Sequence, residues 1–131
     1  MLLEFERGQV VLYGRKMLER GLTTGSGGNI SILNRELGLI ALSPSSMDYN
    51  ETMPEDVVVI DLAGKRVDGG RRASTEQGRH LEVYRHRSDV CAVVHTHSLY
   101  ATAVSCMGWD LPPVHYLIAF AGEGVRCAPY A

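Results

Sequence analysis

Leu3, Val10, Tyr13, Met17 and Leu18 recur at roughly the spacing of one helical face, and Gly21 follows Arg20 where a helix C-cap belongs. Residues 2–20 therefore read as an amphipathic helix. The pattern then changes. Thr24-Gly25-Ser26-Gly27-Gly28-Asn29 is too rich in glycine for a helix or a central strand, and it runs directly into the β-prone Ile30-Ser31-Ile32, so a loop leads into a strand. Leu39-Ile40-Ala41-Leu42 and Val57-Val58-Val59-Ile60-Asp61 are short apolar runs bounded by turn residues, the pattern of strands buried on both faces. Ser43-Pro44-Ser45-Ser46 forms a polar loop between them. The segments 61–65 and 68–70 read as the turns of a hairpin. Ser74-Thr75-Glu76-Gln77 has the S-x-x-Q form of a capping box, which places Ser74 at the start of a helix whose stripe, with Leu81 and Tyr84, runs to about His86. Residues 89–95 read as another buried strand, and Ser98 can cap a helix of small residues from Ala101 to Cys106.

This order of elements, without repeat, low-complexity tract or linker, predicts a layered domain of the α/β or α+β class. With 131 residues the chain is long enough to bury its own core as a single domain, 1–131. A formal net charge of −2 provides no general attraction for nucleic acid or an anionic membrane surface, so any anion must be bound locally. Cys91, Cys106 and Cys127 are odd in number and widely spaced, which suggests neither a disulfide framework nor a thiolate metal site and fits a reducing compartment. The early acidic residues Glu4 and Glu6 and the short apolar run at the N-terminus fit neither a signal peptide nor a membrane span. A cytoplasmic protein is expected.

The candidate chemistry centres on His95-Thr96-His97. Imidazoles at i and i+2 on extended backbone project to one face, close enough to share an ion. Glu76 would complete an N/N/O donor set of the kind that leaves coordination positions for water or substrate. From spacing alone the pair is equally a polar strand end. The loops containing Ser26-Gly27-Gly28-Asn29, Ser45-Ser46 and Ser74-Thr75 offer hydroxyls and backbone N–H groups suited to a phosphate. Each loop taken alone is more often only a turn. His80 and His86 read as surface or packed residues on the second helix, Cys91 as a small buried hydrophobe, Met107 and Trp109 as packing residues, and His115 as orienting a neighbour.

In this order the motifs resemble those of the class II, metal-dependent sugar-phosphate aldolases and the related pentulose-phosphate 4-epimerases. Gly28-Asn29-Ile30-Ser31 looks like the family's glycine-asparagine phosphate loop, and Leu42-Ser43-Pro44-Ser45-Ser46 is similar to its second one. Ser74-Thr75-Glu76 resembles its serine-glutamate turn, and Val94-His95-Thr96-His97-Ser98 its metal motif. The segments 112–116 and 127–131 resemble two stretches of the aldolase branch.

The resemblance implies an α/β/α layered fold with a mostly antiparallel central sheet. It implies a divalent cofactor, Zn2+ or else Mn2+ or Co2+, held by His95 and His97 with Glu76 alternating between the metal and acid/base work. Ser26, Gly28, Asn29, Ser45, Ser46, Ser74 and Thr75 would surround the substrate phosphate. Tyr116 would reach a neighbouring subunit's site and donate a proton to the aldehyde oxygen, within a homotetramer. The reaction implied is reversible cleavage of a sugar 1-phosphate, such as L-fuculose 1-phosphate, to dihydroxyacetone phosphate and an aldehyde. Lys16 and Lys65, the two lysines, fall in a helix and a turn away from the motifs, in keeping with chemistry that needs no lysine imine.

Two features set the chain apart from the 4-epimerases, which carry aspartate where Glu76 stands and a different segment where this chain has Pro113-Val114-His115-Tyr116. A methylthioribulose-phosphate dehydratase is a more distant alternative. Non-catalytic aldolase-like heads, used for assembly, lack the metal histidines. Family members also continue beyond this chain's last residue and supply a third histidine there. The resemblance thus implies that this is the N-terminal portion of the domain, binding metal weakly and poorly active by itself.

Overall fold

The computed structural model describes residues 1–129. The chain divides into two compact units, Met1–Thr96 and the residues from His97 onward. The first is built on a five-stranded, wholly antiparallel sheet of order β4-β3-β2-β1-β5. Its elements are α1 (Glu4–Glu19), β1 (Asn29–Asn34), β2 (Leu39–Leu42), a 3-10 turn (Pro54–Asp56), β3 (Val58–Asp61), β4 (Arg66–Asp68), α2 (Gln77–His86) and β5 (Ala92–His95).

Strand alternation sorts the core into two layers. Ile30, Ala41, Val57 and Val59 join Leu3, Val10, Val11 and Met17 of the α1 side, with Tyr49 in the same cluster. Leu33, Ile40, Leu42, Val58 and Ile60 face Leu81 and Tyr84 of α2. The sheet is therefore covered by a helix on each face, which is the expected α/β/α layering. Continuous apolar runs at 39–42 and 57–60 follow directly from that double cover.

The helix expected at residues 2–20 forms as Glu4–Glu19, and Gly21 follows in the left-handed conformation at φ 65°. Tyr13 is a correction: it is half exposed, because α1 buries the neighbouring face that carries Arg7, Val10, Gly14 and Met17. The buried guanidinium of Arg7 is satisfied by the carbonyls of Leu2, Pro54 and Val57 and by Asp68 at 2.7 Å, which ties α1 to the β3–β4 hairpin.

The buried strand expected at residues 89–95 is also corrected. β5 lies at the sheet edge with alternate residues exposed, and Cys91 is exposed at its start. An apolar run does not distinguish a central strand from an edge strand.

The second unit contains α3 (Leu99–Cys106), a 3-10 helix (Tyr116–Ala121) and an antiparallel bridge between Leu111 and Val125. Ser98 occupies the N-cap position of α3 without a side-chain cap hydrogen bond. Met107 and Trp109, expected in packing, are 48% and 62% exposed. The motif at 127–131 ends with Tyr130 and Ala131, which lie outside the described residues. Among the described residues no helix is long and apolar enough to cross a membrane.

Candidate active site

Pairing of β1 with β5 sets the site. The register places Asn29 opposite His95 and Ser31 opposite Val93, and directly opposed residues share a face of the sheet. Asn29, Ser31 and His95 therefore stand on the face that α2 covers. Gly28 allows this close pairing. It adopts φ 67°, and a Cβ there would overlap the His95 carbonyl oxygen and lie 3.3 Å from Met17 Cε. No side chain fits at that point.

α2 supplies the carboxylate. The capping box predicted at Ser74 does not form: the helix starts at Gln77, with Glu76 in the cap position and no side-chain cap bond. Ser74 instead closes the preceding turn, its Oγ accepting the Glu76 N–H at 3.3 Å and its carbonyl accepting the Gln77 N–H at 3.2 Å. The Gln77 N–H that the box needs thus goes to the Ser74 carbonyl and not to its hydroxyl. The Glu76 side chain reaches both the sheet and its own helix: Oε2 accepts from Asn29 Nδ2 at 2.6 Å and lies 2.8 Å from His95 Nδ1, while Oε1 is 3.1 Å from Arg79 Nη1 on α2.

Burial pushes the Glu76 carboxyl up. The Asn29 hydrogen bond, the charges of His95 and Arg79 and the His95 hydrogen bond outweigh that push, so its pKa falls below the ordinary value. Glu76 is thus a carboxylate at neutral pH. His80, one helical turn along α2, is 1% exposed, and its Nε2 meets Asn29 Oδ1. Burial lowers its pKa, the charges of His95 and Arg79 lower it further against the opposing pull of Glu76, and the result is about 4. It is neutral at physiological pH.

The group of described residues whose side chains could hold a metal is Glu76, His95 and His97. Two imidazoles and an ionised carboxylate suit a divalent ion of the borderline class, and the donor set fits Zn2+, Mn2+ or Co2+. His95 ends β5 in the first unit, half-buried, while His97 is the exposed residue at which the second unit begins.

The predicted phosphate loops lie as follows. Pro44 bridges Ala73 in antiparallel fashion and Ser45 N–H donates to Arg72 O at 2.9 Å, so the 43–46 loop runs beside the segment leading into α2. Ser45 and Ser46 hydroxyls stand 3.4 Å apart, and Ser46 is exposed at φ 58°. Ser74 is buried and Thr75 exposed. Ser26 is exposed on a turn closed by Gly27 N–H to Thr24 O at 3.1 Å. Tyr116 opens its 3-10 helix 76% exposed, with the His115 ring 4.5 Å away and His115 Nδ1 accepting the Leu117 N–H.

The sequence reading did not single out Arg79, and it gave His80 only as a surface or packed residue; His80 is packed, and it also bonds to the site through Asn29. A signal was present: Glu76, His80 and Tyr84 are spaced four apart and so share one helix face.

The chain is 58% identical over 130 residues to the 5-deoxy-D-ribulose 1-phosphate aldolase of Bacillus thuringiensis serovar kurstaki, covering 99% of this chain and 61% of that protein. A solved L-fuculose 1-phosphate aldolase is 43% identical, with a TM-score of 0.92, over 96% of this chain and 59% of that one. The L-fuculose-1-phosphate aldolase of Thermus thermophilus superposes with a TM-score of 0.76 at 26% identity, over 96% of this chain and 63% of that one. The chain thus spans about three fifths of the length of these relatives. Residues 8–131 match the family model of the class II aldolase and adducin N-terminal domain, and the chain belongs to that family.

Proposed function

We propose that this chain carries the acid/base carboxylate and two metal-binding imidazoles of an aldolase that reversibly cleaves a ketose 1-phosphate to dihydroxyacetone phosphate and an aldehyde. The observation that carries this reading is the placement of Glu76, an ionised carboxylate held between Asn29 and His95 at 2.6 and 2.8 Å. A bound divalent ion, held by His95 and His97 with Glu76 beside it, supplies the Lewis acid that stabilises negative charge on the ketose carbonyl oxygen.

In the condensation direction Glu76 takes the proton from the hydroxymethyl carbon of dihydroxyacetone phosphate. That carbon forms the new bond to the aldehyde carbon, and Tyr116 from a neighbouring copy of the chain gives its proton to the aldehyde oxygen. Cleavage is the reverse. The exposure of Tyr116 suits a role in another copy's site, in keeping with a homotetramer. The phosphate is held by Ser26, Ser45, Ser46, Ser74 and Thr75 with the backbone at Gly28 and the second N–H of Asn29. Because Ser74 already engages the Glu76 and Gln77 amides, hydroxyls carry more of that contact than helix-end N–H groups do.

The relatives' names specify 5-deoxy-D-ribulose 1-phosphate and L-fuculose 1-phosphate. Cleavage of either between C3 and C4 releases dihydroxyacetone phosphate and a short methyl-terminated aldehyde, which defines the substrate class proposed. The protein, expressed from its complete gene, is assayed for dihydroxyacetone phosphate release from both, with L-ribulose 5-phosphate as control. Release that a chelator stops and added Zn2+, Mn2+ or Co2+ restores is the expected outcome. Epimerisation of the control without release from either 1-phosphate would replace the aldolase reading.

A further inference from the structure

On the α2 face of the sheet, a line of buried polar side chains runs from the core to Glu76. Tyr84 Oη lies 2.6 Å from Ser31 Oγ, and Ser31 Oγ lies 2.6 Å from His80 Nδ1. His80 Nε2 meets Asn29 Oδ1, and Asn29 Nδ2 donates to Glu76 Oε2 at 2.6 Å. Ser31 is 0% and Asn29 3% exposed, so each group must find its partners within the protein.

Only one direction of donation satisfies every member. A carboxylate oxygen accepts, so Asn29 turns its N–H toward Glu76 and its carbonyl oxygen toward His80. That oxygen also only accepts, so His80 carries its proton on Nε2. The neutral ring then accepts at Nδ1, which requires the Ser31 O–H as donor, and Ser31 in turn accepts from the Tyr84 O–H.

We propose that His80 is a positioning residue of this site: held as the Nε2–H tautomer by Ser31 and Tyr84, it fixes the Asn29 amide with its N–H toward Glu76 and so holds that carboxylate beside His95. Removing the His80 N–H frees the Asn29 amide to turn over, which brings an oxygen against the carboxylate and releases it from its place. The kinetic consequence rests on the aldolase reading above; the tautomer does not.

Two measurements test the proposal. Long-range 1H–15N spectra of the metal-free protein at neutral pH should show His80 as a single Nε2–H tautomer, with averaging between tautomers in Ser31→Ala. An Nδ1–H or averaged ring in the wild type, or an unchanged ring in Ser31→Ala, would overturn it. In the protein expressed from its complete gene, His80→Leu should lower kcat about 10- to 100-fold with little change in KM, the usual range for groups that orient a metal-site residue. His80→Gln, whose side-chain N–H can reach Asn29, should recover most of that loss. Equal losses in the two variants, or no loss in His80→Leu, would overturn the positioning role. If His80→Leu does not fold, Ser31→Ala decides by the same kcat and KM comparison. A wild-type protein that cleaves no ketose phosphate counts against the function proposed above, and the tautomer spectra then decide the relay by themselves.

Discussion

The chain up to Thr96 and the chain from His97 onward treat their apolar side chains in opposite ways. In the first, the sheet is covered on both faces and Ile40, Val57, Val58 and Val59 are fully buried. In the second, α3 contains no buried residue, Ile118 of the 3-10 helix is buried, and Leu99, Tyr100 and Phe120 are 73%, 84% and 88% exposed. Packing in the first unit therefore fixes the Asn29–Glu76–His95 geometry, whereas a side chain such as Tyr116 is positioned by much less. Substitutions should separate the two units sharply.

The largest effect is expected at Gly28. An alanine there combines a left-handed backbone with an overlap onto the His95 carbonyl, costing about 4 kcal/mol in stability from the two contributions together. Urea unfolding measures this, and an alanine variant of near wild-type stability would show that the close β1–β5 approach is not needed. Ile60→Ala removes a side chain 1% exposed between α2 and the sheet, and about 3 kcal/mol should be lost in the same experiment.

A pH titration sharpens the comparison inside the first unit. His80 has a folded pKa of about 4, below the ordinary value of 6.5. Above pH 6.5 the ring is neutral folded and unfolded, so it contributes nothing to pH dependence. As pH falls from 6.5 toward 4 the unfolded chain takes up a proton that the folded one refuses, and stability drops by on the order of 2 to 3 kcal/mol. Wild type should lose that much more than His80→Gln over this interval; parallel curves would mean that the ring does not stay neutral. The smallest effect is expected in the second unit, where Phe120→Ala should change stability by less than about 0.5 kcal/mol. A larger loss would remove the contrast between the units.

How much of this could be read from the sequence follows from what local pattern encodes. β2 was legible residue for residue, because a run of four apolar positions between turns has one economical solution in a doubly covered sheet. The glycine loop before β1 and the histidine at the end of β5 were legible from residue type. The start of α2 was not. Ser74 offers a capping box with Gln77, yet the Ser74 carbonyl takes the Gln77 N–H that the box needs, and Glu76 bonds across space to Asn29 and His95, partners that no local rule contains. His80 looked bland for the same reason: its burial and both its partners come from β1, about 50 residues earlier in the chain. Edge position misled at Cys91 and exposure at Trp109, since hydrophobicity states a preference for burial and not what is available to cover it.

The central claim, that Glu76 moves the proton at a metal-assisted aldol site, is tested most directly by Glu76→Gln in the protein expressed from its complete gene, with kcat and bound metal measured on the same sample. The amide can keep the shape of the site but cannot take a proton. Turnover of a ketose 1-phosphate should fall about 100- to 10,000-fold while metal bound through His95 and His97 persists. Undiminished turnover in the glutamine variant would contradict the account.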